Sequence, residues 1–377
     1  MNPCFKKLFF FIYALLFCIT ATAQVRIEHA EQTKGTLQKD QQALKFIRSF
    51  KVLPVAKATS LANTTNKIID VICRTSQLNP PIGFDAKVNV AASDLGLKET
   101  EPHFKVYCYL RYLIKSDNGQ VKKSMDGTDL YMNINWFDLF DQAGNYWQAC
   151  SELKLPLFFE EIPLSDSTND YISFKYKGDE MRMVLANNKP FFVPLTRKEF
   201  LQFLIARGRQ ALKTDQDALE TSHKSKATIT KLMATENEGD KAYSASTLKS
   251  IDRDIEQWQK NIQQQEIEIQ TCQSLLNTMP AQEAAAPARM DYNKKSNSQQ
   301  FGALDQLVPV GRREGVMLMK INPDYYNKSP QAPVAQLITL YYVWPTVGFA
   351  HDTDYLQQKT IDIFSQLDYH QLKESMK

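Results

Sequence analysis

The segment between Leu195 and Pro280 constrains this chain most, because it spells two long helices in succession. In Leu195-Thr196-Arg197-Lys198-Glu199-Phe200, Thr196 is placed to cap the Glu199 N–H while the Glu199 carboxylate reaches back, and Leu195 and Phe200 are placed as a hydrophobic staple. Gly208 is the one helix breaker before Asn237-Glu238-Gly239-Asp240; a return helix is expected from about Ser246 to Met279, ended by Pro280. On that return helix Leu248, Ile251, Ile255, Trp258, Ile262, Gln265, Ile269, Cys272 and Leu276 recur at spacings of three and four, a coiled-coil seam with Gln265 as its polar interruption. The outgoing face is patchier, carrying Leu201, Leu204, Ala211, Leu212, Ala218, Leu219, Ile229, Leu232 and Met233. At 1.5 Å per residue each arm would extend roughly 50 Å, so the pattern predicts a projecting antiparallel hairpin.

Upstream, residues 84–193 change from a period of 3.6 to a period of 2. Phe104, Val106, Cys108, Leu110, Tyr112 and Ile114 alternate with Lys105, Tyr107, Tyr109, Arg111, Leu113 and Lys115, which predicts a long strand, and Asp117-Asn118-Gly119 after it predicts a hairpin. Leu130, Met132, Ile134 and Trp136 form a second inward set, with further turns at Asp141–Asn145 and Gly178-Asp179. Hairpins at this spacing predict an antiparallel meander. Short helices are expected at Leu37–Phe50 (on Leu37, Leu44, Ile47 and Phe50), from about Asn63 to Ser76 (on Ile68, Ile69, Ile72 and Cys73), and after about Asp354 (on Leu356, Ile363, Phe364 and Leu367). Residues 280–300 hold five alanines and two prolines among mostly polar residues and read as a flexible linker. Val316–Ile321 and Val334–Trp344 read as strands, too few for a core of their own, and are expected to join the first sheet. The expected fold is α+β: an antiparallel β-meander body with short flanking helices (24–195, completed by 301–377) and the helical hairpin (196–279) inserted into it.

Residues 1–23 have a basic head at Lys6 and Lys7, an apolar run from Leu8 to Thr20 and Ala21-Thr22-Ala23, the pattern of an export signal cleaved after Ala23. The run is too short to span a bilayer comfortably, and Phe17 before Cys18 speaks against a lipidated cysteine. Cleavage removes two of 45 Lys and Arg and none of 42 Asp and Glu, leaving a near-neutral chain without the basic surplus that nucleic acid requires. The hairpin segment is likewise balanced, with 12 basic and 12 acidic residues over 196–279. Four cysteines remain, Cys73, Cys108, Cys150 and Cys272; none forms Cys-x-x-Cys, and three disulfide pairings are open to them.

The chain contains no Gly-x-Ser-x-Gly, His-Glu-x-x-His, Gly-x-Gly-x-x-Gly or phosphate-loop motif. His29 and His223 read as solvated, and His103 opens a strand near Cys108, whose thiol points to the apolar face. His351 with Asp352 and Asp354 is the best candidate for a metal or catalytic cluster, although either Asp also suits a helix cap. His370 falls near the expected end of the last helix, where it would favour the dipole. No catalytic residue, metal ligand or cofactor is assigned.

Two binding candidates remain. The outward stripe Lys105, Tyr107, Tyr109 and Arg111, with Tyr131, Asn133, Asn135 and Phe137 on a nearby strand, alternates rings and cations as a sugar- or peptide-binding face would. The seam residues Ile255, Trp258 and Ile262 are the candidate contact with an envelope protein partner or with a second copy of the chain. The Ala-Thr-Ala-Gln cleavage region, Asn79-Pro80-Pro81-Ile82-Gly83-Phe84, Val193–Phe200 and Ile321-Asn322-Pro323-Asp324-Tyr325-Tyr326 resemble uncharacterised exported proteins of Bacteroidetes-type bacteria. That resemblance implies a Gram-negative envelope or secreted setting and transfers no activity. The expectation is therefore an exported, periplasmic or secreted, non-enzymatic protein that binds or scaffolds through its hairpin. A carbohydrate- or peptide-binding module and a periplasmic hydrolase with dispersed residues are the alternatives.

Overall fold

The computed structural model describes residues 28–39, 53–96, 103–116, 118–137, 146–176, 179–235, 237–295, 303–329, 331–343 and 353–377. The export segment, Leu44, Ile47, Phe50, the Asp141–Asn145 turn, His351 and Asp352 lie outside these residues. The chain forms two compact units, one of residues 1–136, 164–187 and 327–377, the other of residues 137–163 and 188–326. In chain order the first half contributes β1 (Glu28–His29), β2 (Leu37–Lys39), α1 (Val55–Cys73), β3 (Phe84–Gly96), β4 (His103–Lys115), β5 (Val121–Ile134), α2 (Tyr146–Leu153), β6 (Phe158–Glu160), β7 (Leu164–Ser167), β8 (Ile172–Tyr176), β9 (Asp179–Leu185) and β10 (Phe192–Pro194). There follow α3 (Arg197–Met233), α4 (Glu238–Thr278), α5 (Ala281–Ala284), β11 (Arg289–Met290), β12 (Val316–Ile321), β13 (Leu337–Val343), α6 (Thr353–Gln366) and α7 (Tyr369–Ser375).

The first unit is a nine-stranded sheet in the order β2-β3-β4-β5-β13-β9-β8-β7, with β1 also on β4. All pairs are antiparallel except β2 with β3. The alternation on β4 works as expected: Phe104, Val106, Cys108 and Leu110 are buried on one face with Leu130, Met132 and Ile134 of β5, while Lys105, Tyr107, Tyr109 and Arg111 are half-buried on the other. The α1 residues Leu61, Ile68, Ile69 and Ile72 and the α6 residues Leu356, Ile363 and Phe364 belong to the core on the apolar face. Arg182 fastens the C-terminal helices to the sheet: its guanidinium lies 4.7, 4.6 and 4.9 Å from the ring centroids of Tyr171, Phe364 and Tyr369, and its Nε donates to Glu180 at 2.8 Å.

The second unit is smaller. Its sheet is centred on β12, with β6 along one edge and β10 and β11 along the other. Tyr146, Cys150, Phe158, Leu195, Phe200, Phe203, Ala288, Met290 and Leu318 enclose one core with Ile269 and Cys272 of α4. The hairpin thus has its own foundation.

Several expectations are corrected. Leu37 is in strand β2, where it pairs with Ala86, and not in a helix. Helix α1 begins at Val55 directly after Pro54, which suits the start of a helix because its missing N–H is not needed there. β13 joins the first sheet as expected, between β5 and β9, but β12 builds the second sheet instead. The segment expected as a linker holds α5 and β11 and buries Ala288 and Met290, so in residues 280–295 it is part of the second core. The return helix starts at Glu238, eight residues before Ser246, because Asn237 caps it by accepting from the Asp240 N–H at 3.0 Å. The closing helix is two helices; Asp368 caps the second by accepting from the Gln371 N–H, so His370 lies in a first turn and pairs with Asp170 at 3.1 Å.

Candidate functional site

The hairpin starts where the sequence says it should. Thr196 Oγ1 accepts from the Glu199 N–H at 3.2 Å, the Thr196 N–H donates to the Glu199 carboxylate at 3.0 Å, and Lys320 of β12 donates to the other carboxylate oxygen. Burial alone would raise the Glu199 pKa, but these donors outweigh it and hold the carboxyl below its usual value.

The seam of α4 closes against α3 of the same chain. Ile255 is 8% exposed and Trp258 and Ile262 are half-buried on the helix that packs against α3. The polar members of the seam are matched across it. Gln265 Nε2 donates to Asp215 at 2.8 Å, and Asp215 is itself only 8% exposed. Lys226 pairs with Asp252 at 2.6 Å. A Cβ on Gly208 would stand 2.9 Å from Ile269 Cγ1, so this glycine is what lets α4 approach closely. The outgoing face looks patchy in sequence because Gly208, Asp215 and Lys226 occupy seam positions with assigned partners. Such polar pairs fix register in coiled coils. Outside the seam, Leu232 is 51% and Tyr243 77% exposed, one on either side of the turn, and Ile267 and Leu275 further down α4 are 58% and 41% exposed. Sequence reasoning counted Leu232 with the seam and missed Tyr243; the signal was that position 243, five residues before Leu248, falls off the seam's spacing of three and four.

At the base of the hairpin, Tyr146 and Tyr292 share a hydrogen bond of 2.9 Å, and Tyr292 also hydrogen-bonds Glu160. Burial pushes Tyr146 up to about 12 and Tyr292 further. Burial likewise raises Cys150 and Cys272 to about 11 and depresses Arg207 beside them. The two tyrosines and two cysteines are neutral groups in a packed foundation, and thiols so placed are poor nucleophiles. All four described cysteines are buried and unpaired with one another, Cys73 and Cys108 in the first core and Cys150 and Cys272 in the second.

On the outer face of the first sheet, Tyr107 stands opposite Asn89 of β3 and Tyr131 of β5, and Tyr131 opposite Tyr341 of β13. The Tyr107 and Tyr109 rings are parallel within 4° at 5.4 Å, and the Arg111 guanidinium lies 5.2 Å from the Tyr109 centroid. Tyr131 meets Tyr107 edge-on at 4.9 Å and stacks on Tyr341 at 5.2 Å, and Lys105 lies 4.3 Å from the Trp136 ring. Asp129, which sequence reasoning passed over, accepts from Arg111 at 2.8 Å and from Tyr131 Oη at 3.2 Å. Its signal was its position two residues before Tyr131, on the same face. Burial, with Asp129 beside it, raises the Tyr131 pKa strongly.

The remaining candidates separate from this face. Asn133 and Asn135 are buried: the first donates to Thr339 Oγ1, the second to the Val334 carbonyl, while Asn135 Oδ1 accepts from the Gln336 and Leu337 N–H groups. Both tie β5 to β13. Phe137 belongs to the second unit, against Phe191 and Phe192. His103 meets Trp136 on the face opposite the Cys108 thiol. His29, expected in solvent, is half-buried in β1 against Tyr112, whereas His223 is exposed. Asp354 lies in the first turn of α6, and among the described residues no three His, Cys, Asp or Glu side chains converge as a metal site. No described helix is both long and apolar enough to cross a membrane. Comparison with protein-family models, with curated proteins and with solved structures finds no match.

Proposed function

We propose that this protein is an exported, non-enzymatic component of a bacterial cell envelope that holds a protein partner at the turn end of its helical hairpin. The export pattern of residues 1–23 and the resemblance of the chain's turns and caps to exported Bacteroidetes-type proteins support the compartment. The observation that carries the binding reading is the contrast along the hairpin. Its seam carries the Asp215–Gln265 pair between its own two helices, and the most exposed large hydrophobic side chain described in the hairpin, Tyr243, stands with Leu232 on either side of the turn, while Ile267 and Leu275 are exposed singly further down α4. The contact surface is thereby moved from Ile255, Trp258 and Ile262 to the tip. A large aromatic residue held on a rigid helix pair is the kind of anchor that dominates protein interfaces.

The test is co-purification from envelope extract of the wild-type chain and a Leu232→Ser/Tyr243→Ser variant, with helical content checked by circular dichroism. Loss of two anchors costs on the order of 2–4 kcal/mol of binding, so a partner recovered in fixed ratio with the wild type should disappear with the variant. Undiminished recovery by a folded variant refutes the tip as the contact.

A further inference from the structure

We propose that the loop of residues 309–315 in the second unit is a processing site, cut between Arg312 and Arg313 by an arginine-specific endopeptidase, and that the cut leaves a two-chain protein with both units folded. Every residue from 309 to 315 is exposed, between the buried Val308 and the start of β12. Gly311 has a φ of +85°, and a Cβ there would meet nothing within 4 Å, so the loop tip stands clear of its surroundings. Both ends of the loop are pinned to β11. The Val308 N–H donates to the Arg289 carbonyl at 2.9 Å, and Met290 pairs with Leu307 on one side and Val316 on the other. An exposed tip between fixed ends is where folded chains are preferentially nicked.

The position of the cut follows from side chain and carbonyl together. A protease of this class takes an arginine in an anionic pocket and turns the scissile carbonyl into an oxyanion hole. The other exposed arginines among the described residues are badly placed for this. Arg209 and Arg253 lie inside α3 and α4, and Arg74 closes α1 with its N–H bound to the Asp70 and Val71 carbonyls at 3.1 and 3.3 Å. Arg312 is in irregular chain, and its side chain, 67% exposed, meets Glu314 at 3.5 Å, a pair too solvated to hold it. The Arg313 carbonyl accepts from Arg289 Nη1 at 3.3 Å, whereas the Arg312 carbonyl accepts from none of the described residues, which selects the bond between the two. The exposed Lys294-Lys295 pair differs, because Gln306 donates to the Lys294 carbonyl at 3.2 Å. Hydrolysis adds water across the Arg312–Arg313 amide and leaves a carboxylate on Arg312 and an ammonium on Arg313. Residues 313–377 carry β12, paired with β6, β10 and β11, and β13, paired with β5 and β9, so strands of the larger piece hold the smaller one in each sheet.

The experiment digests the folded full-length chain with an arginine-specific endopeptidase, with heat-denatured chain as the control, and reads intact masses and native gel filtration. The folded chain should be cut between 312 and 313, and residues 313–377 should coelute with the remainder. The Arg312→Gln/Arg313→Gln variant should be cut there at least about a hundredfold more slowly, with its circular dichroism unchanged. Recovered from cells that make it, the wild type should be two associated chains and the variant one. A bond that survives in the folded chain while the denatured control is cut there, fragments that separate on gel filtration, or wild type recovered uncut from cells overturns the proposal.

Discussion

The pair formed by Asp215 and Gln265 gives the sharpest energetic prediction. Asp215 is almost fully buried in the hairpin seam, where it accepts one hydrogen bond of 2.8 Å from Gln265, and Gln265 Oε1 is buried without a partner. The seam therefore retains two polar side chains for one contact. Asp215→Leu strands the Gln265 amide beside a hydrocarbon, and Gln265→Leu strands a carboxylate. A charge-assisted bond is worth about 1.5–3 kcal/mol, and an unsatisfied buried group costs about 1–3 kcal/mol. Each single variant should therefore destabilise the hairpin by about 2–3 kcal/mol. The double variant replaces the pair by two seam leucines and should recover most of that loss, as buried ion or polar pairs often do when both members become apolar. The coupling energy, the sum of the two single losses less the small loss of the double variant, should accordingly be on the order of 4 kcal/mol. With two units in the chain a single unfolding transition is not assured, so the assay is amide hydrogen exchange read over peptides of α3 and α4. Singles within about 0.5 kcal/mol of wild type, or strictly additive losses, would refute the claim that this pair locks the seam.

Three further outcomes follow from the same contacts. Gly208→Val places a branched side chain against Ile269, whose Cγ1 stands 2.9 Å from even a first Cβ, and should cost about 1–3 kcal/mol in hairpin exchange protection despite valine's better helix propensity. Arg182→Gln removes the cation shared by Tyr171, Phe364 and Tyr369 and should destabilise the first unit by about 2–3 kcal/mol in urea, seen first as loss of protection in α6 and α7. Glu199 has a folded pKa below its reference of 4.5, so the stability it adds is complete above pH 4.5 and lost as pH falls through the lower folded value; Glu199→Gln should flatten the acid limb of a stability–pH curve.

What was legible in the sequence was local. Thr196 and Glu199 announce α3 because both partners of the capping box lie within one turn, and β4 shows itself because one buried face imposes a strict period of two. The α4 seam was visible for the same reason, while its α3 counterpart was obscured by Gly208, Asp215 and Lys226, whose partners lie across the hairpin. The second core was not legible. Its strands β6, β10 and β11 are two or three residues long, and each is defined by pairing with β12, far away in sequence. Ala288 and Met290 read as linker because a two-residue strand has no period to detect. On the sheet face, the stripe Lys105–Arg111 was placed correctly, but its internal stacking and its dependence on Asp129 are properties of the register between strands.

Site-specific photocrosslinking in cells tests the central claim most directly, with the photoreactive residue placed at position 243 or at position 258. The account predicts an intermolecular product from position 243, at the exposed tip, and only an intrachain product with α3 from position 258, in the closed seam. An intermolecular product from position 258, with none from position 243, would contradict it.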